Sequence, residues 1–174
     1  MVLAPIAERR DSMTIRSLHP KDRMPVLSIL RKTGAFTAQE IDVALELIDI
    51  VLKDPHQRDY RIYCMVDDRD TPMGYVCYGP APMTEGAFDL YWIAVEPEFQ
   101  KHGVGAKLMG FMEEKIREMG GSMILADTSS IPQYEGTHRF YRRTGFSEVS
   151  RVPDYYAPGN DRITFCKRLA QKIA

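Results

Sequence analysis

Between Ala87 and Gly121 the chain sets an apolar run, a polar turn with two glycines and an amphipathic repeat in immediate succession. The chemistry available to such a unit is the binding of a phosphate or pyrophosphate. The turn is Gln100-Lys101-His102-Gly103-Val104-Gly105-Ala106. A glycine turn feeding a helix aims several unpaired backbone N–H groups at one point, and the helix dipole adds partial positive charge there. A P-loop would need GxxxxGK followed by Ser or Thr, and no such pair follows these glycines. A dinucleotide fingerprint would need a third glycine in GxGxxG spacing. An ordinary strand-to-helix connection, its glycines serving chain geometry alone, is the competing reading.

Two further residues stand out chemically. Asp89 lies inside the otherwise apolar run Ala87–Val95, where a carboxylate must be solvated, paired or functional. An acid at a strand edge facing solvent explains it equally well, and Glu85 in the adjacent loop is a second choice of base. Tyr141 sits beside Phe140 in a helical stretch, where an aromatic usually packs. Its phenol, with an ordinary pKa near 10, also holds a proton that it could donate at neutral pH. No His, Cys and Asp set has metal-ligand spacing, and no Ser, His and Asp arrangement suggests a covalent intermediate. His138 reads as a surface residue of its helix.

The elements that position these residues follow from periodicity. Phe88, Leu90, Tyr91, Trp92, Ile93 and Val95 suit a buried strand, ended by Pro97. Val104, Leu108, Met112, Ile116 and Met119 form one helical stripe, stopped by Gly120–Gly121. Upstream, residues 1–12 read as a loose leader. Met13–Leu18 alternates as a strand, Asp22–Arg31 as a short helix, and Thr37-Ala-Gln-Glu40 is a capping box opening a second helix. The acids Asp42, Glu46 and Asp49 fall on that helix's solvated face. Tyr60–Val66 and Met73–Gly79 form a hairpin about residues 67–72. Ser122–Thr128 is a second buried strand, and Tyr134–Thr144 is a helix capped by Gly145. Phe146–Val152 and Arg162–Arg168 are strands joined by a loop over 153–160. The pattern predicts one α/β domain over residues 13–170, a mixed sheet with helices on both faces.

Composition narrows the partners. The 174 residues are 44% hydrophobic and 27% charged, with a net charge of −1 and no basic block, which argues against a broad nucleic-acid footprint. No apolar run reaches the length of a membrane span. Three scattered cysteines, without metal or disulfide spacing, point to reduced thiols in a cytoplasmic protein.

The motif Gln-x-x-Gly-x-Gly-Ala after a strand ending Ile93-Ala94-Val95 resembles the acetyl-CoA-binding motif of the GNAT superfamily of N-acetyltransferases. A second motif, Arg139-Phe-Tyr-Arg-Arg-Thr-Gly-Phe146, resembles that family's FYxxxGF signature. The resemblance spans about residues 13–170 and implies a central, mostly antiparallel sheet of about seven strands. It implies acetyl-CoA as cosubstrate, with no metal, and direct transfer in a ternary complex to a small-molecule or peptide amine. In this family the strand before the turn carries a bulge. The resemblance therefore puts an oxyanion-holding N–H at or next to Val95, with Ile93, Ala94 and Val95 lining the cofactor. Gln100, Lys101, His102, Gly103, Val104, Gly105 and Ala106 then face the pyrophosphate, Tyr141 protonates the leaving sulfur, and Asp89 or a water removes the amine proton. The acceptor site falls to Arg31–Phe36 and Asp154–Asn160, where Tyr155 and Tyr156 could line a pocket. A homodimer is frequent in such families. The alternative is an acyl-CoA-binding sensor that keeps the fold without catalysis.

Overall fold

The computed structural model describes residues 13–170; the leader assigned to residues 1–12 lies outside them. Seven strands form one sheet in the order β1-β2-β3-β4-β5-β7-β6. They are β1 (Thr14–Ser17), β2 (Arg61–Val66), β3 (Pro72–Pro80), β4 (Ala87–Val95), β5 (Met123–Ser129), β6 (Ser147–Ala157) and β7 (Asn160–Arg168). Every neighbouring pair is antiparallel except β4 and β5, which run parallel. The predicted mixed, mostly antiparallel sheet is what folds.

Helices α1 (Arg23–Lys32) and α2 (Ala38–Lys53) cover one face of β2–β4, burying Val26, Ile29, Leu30 and Ile48 against Cys64, Tyr75 and Ala94. The capping box is present, with Glu40 N–H on the Thr37 hydroxyl and Thr37 N–H on the Glu40 carboxylate. Helices α3 (Val104–Glu118) and α4 (Glu135–Arg143) lie on the other face, where Leu108, Met112, Ile116 and Tyr141 pack on Leu90, Ile124 and Phe165. Gly74 lets α3 lie this close, since a Cβ there would stand 2.9 Å from the Ala94 carbonyl and 3.2 Å from Val104 and Leu108. Gly120, at φ 80°, ends α3, and Gly121 N–H returns to the Ile116 carbonyl. Met119, placed on the buried stripe by its spacing, is the exposed cap residue instead.

Two expectations are corrected. The stretch 153–160 is not a free loop: β6 runs on to Ala157 and β7 starts at Asn160. The stretch is irregular, its register shifting between Val152 and Ala157 with Asp154 at φ 54°, and Asp161 braces it by accepting the Asp154 N–H and pairing with Arg151, while Asp154 accepts the Gly159 N–H. His138 is buried, not a surface residue, because its Nε2–H donates to the Ser129 carbonyl at 3.0 Å.

One ion pair ties α1 to the sheet. Asp22 is fully buried and takes both Arg16 Nη1 (2.6 Å) and Nη2 (3.0 Å), together with the His19 N–H. Arg16 Nε reaches on to Asp70 in the β2–β3 hairpin, which Lys21 also contacts. Removing one partner of a buried pair strands the other, so Asp22→Ala is expected to lower unfolding free energy by about 3–5 kcal/mol in urea titration. A loss below about 1 kcal/mol, the value of an exposed pair, would contradict this account. The two cations hold the Asp70 carboxyl at about 2. Its contribution is therefore complete above the ordinary carboxylate value near 3.9 and is lost as pH falls towards 2.

Candidate active site

The β4–β5 pairing lasts three residues. Ala87, Phe88 and Asp89 face Met123, Ile124 and Leu125, and beyond Asp89 the two strands diverge. On its other side β4 stays paired with β3 to the end, Val95 opposite Gly74 and Ile93 opposite Val76. Glu96 N–H donates to the Met73 carbonyl at 2.8 Å, which fixes the alternation. Ala94 therefore bonds towards β3, while the N–H and C=O groups of Ile93 and Val95 point away from it, into the gap. The gap-facing Val95 carbonyl accepts a side-chain hydrogen bond from Gln100 Nε2 at 3.1 Å. The remaining groups form an unpaired strand edge on which an extended, amide-bearing chain can dock.

The bulge in β4 lies elsewhere than expected. Register shifts between Cys77–Trp92 and Tyr78–Leu90, leaving Tyr91 as the extra residue. At Val95 the ladder to β3 is regular, so its free N–H arises from the departure of β5 and not from a bulge.

The gap opens at the glycine turn. Lys101 (φ 65°) and Gly103 (φ 83°) both adopt left-handed backbone, and the Gln100 carbonyl accepts His102 Nδ1–H at 2.9 Å. Lys107 N–H bonds the Gly103 carbonyl, so the N–H groups of Val104, Gly105 and Ala106 precede the first intrahelical bond of α3. A Cβ at Gly103 would meet nothing within 4 Å, whereas one at Gly105 would press on the Phe140 ring at 3.2 Å. Gly105 thus serves packing, and Gly103 borders open space in front of free donors. This strand edge beside an anion cradle fits a pantetheine pyrophosphate.

Asp89 and Tyr141 sit in different settings. Asp89 is half-buried and its carboxylate has no hydrogen-bond partner among the described residues; burial, then Asp127, raises its pKa. Tyr141 is buried among Phe140, Phe146 and Phe165, with ring centroids 5.4–6.0 Å away. Burial, reinforced by Asp127, pushes its phenol well up. Asp127 on β5 is thus the charge that both feel, and sequence reasoning passed over it. The signal was there, an acid ending the apolar run Met123–Ala126 within the strand expected over Ser122–Thr128. Among the described residues no group of three or more His, Cys, Asp or Glu could hold a metal, and no helix is long and apolar enough to cross a membrane.

Over residues 26–146 the sequence matches the acetyltransferase (GNAT) family. The chain belongs to the GNAT acetyltransferases. It is 30% identical over 130 residues to the S-(2-succino)cysteine N-acetyltransferase of Bacillus subtilis, a match covering 72% of this chain and 64% of that relative's length. A GNAT-family protein from Desulfovibrio desulfuricans shares 39% identity and superposes with a TM-score of 0.87, covering 91% of this chain and all of that one. The fold extends to an aminoglycoside 6′-N-acetyltransferase solved with coenzyme A, at 17% identity and a TM-score of 0.72, over 93% of this chain and all of that one.

In this GNAT chain the cradle can be tested without turnover. Gly103→Glu puts a negative side chain into the open space at the turn and strains a left-handed position by about 1 kcal/mol. Calorimetry is expected to show acetyl-CoA affinity falling on the order of 100-fold, with the fold retained. Unchanged affinity would remove the turn from the cosubstrate site.

Proposed function

We propose that this chain transfers the acetyl group of acetyl-CoA directly to a primary amine held beside Asp89. The observation carrying this reading is the gap beyond Asp89, with Ile93 and Val95 offering unpaired main-chain groups above the Gly103 turn. The cosubstrate supplies an activated thioester. Family membership, and the coenzyme A bound by the structural neighbour, support its choice.

The residues divide the remaining work. An amine at neutral pH is an ammonium and must lose a proton before it can attack. Asp89, unpartnered and half-buried, accepts that proton directly or through a water. A gap-facing N–H of Ile93 or Val95 holds the carbonyl oxygen as charge develops on it. The N–C bond forms as the C–S bond breaks, the nitrogen sheds its second proton, and the sulfur gains one. Tyr141, whose phenol stays protonated throughout the physiological range, is the donor to sulfur, and its proton is restored from the nitrogen through solvent.

A thiol-release assay against an amine panel checks this, with the product confirmed by mass. Asp89→Asn is expected to lower kcat by about 100-fold, the usual share of a general base. Because burial and Asp127 raise the Asp89 pKa, activity should climb with pH through a limb above the ordinary carboxylate value near 3.9. Asn at 89 should erase that limb. Tyr141→Phe should lower kcat while acetyl-CoA affinity, read by calorimetry, is kept; an unchanged rate would take Tyr141 out of the mechanism. Binding of acetyl-CoA without turnover of any amine would favour an acyl-CoA sensor.

A further inference from the structure

The hydrophobic core beneath α1 and α2 draws on β2–β4 and includes no buried residue of β5–β7. Beyond Asp89, that face of the sheet is therefore a polar floor. Register places Leu125, Asp127, Thr164 and Arg162 on it together with Asp89. Glu40 and Tyr134 are joined at 2.6 Å, and Tyr156, its ring centroid 4.9 Å from that of Tyr155, lies near enough to feel the charges of both Asp127 and Glu40.

Arg162 is the unusual member. Its guanidinium carbon stacks 4.4 Å from the Tyr155 ring centroid, and its side chain is one-third exposed. Asp127 is its ion-pair partner, yet Arg162 Nε to Asp127 Oδ2 is 3.9 Å, too long for a hydrogen bond, and Nε is buried without an acceptor. Asp127 takes its hydrogen bond from the Thr164 hydroxyl instead. Among the described residues the Arg162 guanidinium makes no hydrogen bond to a protein acceptor. A rigid, pre-oriented donor fork left open in a reaction cleft calls for a planar anion, and a carboxylate matches it.

Resting on the acetyltransferase reading above, we infer that the acceptor is a free α-amino acid, its carboxylate on Arg162 and its amine between Asp127 and Asp89. In such a molecule opposite charges flank one carbon, a hydrogen-bond length apart. That is complementary to an arginine and an aspartate standing 3.9 Å apart. Tyr155 and Tyr156 then border the side chain. Acetylation cancels the positive end alone, so the N-acetyl product keeps its carboxylate and loses its hold on Asp127, which favours release.

The test compares L-amino acids with matched amines lacking the carboxylate: leucine with isopentylamine, phenylalanine with phenethylamine, lysine with cadaverine. In wild type the better amino acid is expected to exceed its matched amine in kcat/KM by about 10- to 100-fold, the discrimination of one charged hydrogen-bonded contact. In Arg162→Gln that ratio should collapse towards one, chiefly through KM, and Arg162→Lys should restore part of it. Acetyl-CoA affinity in each variant, read by calorimetry, controls for folding. Equal use of both members of every pair, or a ratio unchanged in Arg162→Gln, would overturn the inference while leaving the acetyltransferase reading in place. So would turnover confined to the amines. Failure of wild type to bind acetyl-CoA would overturn both.

Discussion

A single mismatch in strand pairing underlies the arrangement of this molecule. Among the described residues one strand pair is parallel, β4 with β5, and it closes at Asp89–Leu125 and then opens. Backbone polar groups must be satisfied by strand, side chain, water or ligand. On β4 the departure of β5 leaves the groups of Ile93 and Val95 to the last three, and Gln100 takes one of them, the Val95 carbonyl. On the proposed reading, the same divergence admits the cosubstrate to the start of α3 from one side and the acceptor to the β5–β7 floor from the other, so that the two meet at Asp89.

Electrostatics then sort the groups around that opening. Asp127 raises the pKa of both Asp89 and Tyr141, in each case behind the larger effect of burial. In the proposed mechanism the two shifts serve opposite tasks. A raised carboxylate is a better proton acceptor near neutral pH, whereas a raised phenol keeps the proton it is to donate. Glu40 ties α2 to the β5–α4 segment: one oxygen closes the capping box of α2 and the other receives the Tyr134 hydroxyl. The nearby Gln133–Gly34 hydrogen bond, at 2.8 Å, fastens the α1–α2 connection to the same segment.

Local signals carried far in the sequence. The apolar run into Pro97, the helical stripe from Val104, the Thr37–Glu40 box and the glycine stops each depend on neighbours within a turn or two, and each folds as its pattern indicates. The two GNAT motifs are of the same local kind. What escaped is set by residues distant in sequence. β6 rejoins β7 at Ala157 after an irregular stretch braced by Asp161 and Arg151, against the turn-like composition of Pro153–Asn160. His138 is buried because the Ser129 carbonyl awaits it. The bulge falls at Tyr91 and not Val95, since register belongs to the β3–β4 pair and not to either strand alone. Asp127 and Arg162 were legible as residues, but their convergence appears only once β5 and β7 are paired.

The proposed cosubstrate site depends on Ile93 and Val95 presenting unpaired main-chain groups to the acyl-bearing arm of acetyl-CoA. Residue-resolved amide hydrogen exchange, with and without saturating acetyl-CoA, tests this most directly. Gap-facing amides at Ile93 and Val95 should gain marked protection on binding, whereas Ala94, already bonded to β3, should change little. Protection of Ala94 with none at Ile93 and Val95, or no change along β4 despite measured binding, would contradict the assignment of the gap as the cosubstrate site.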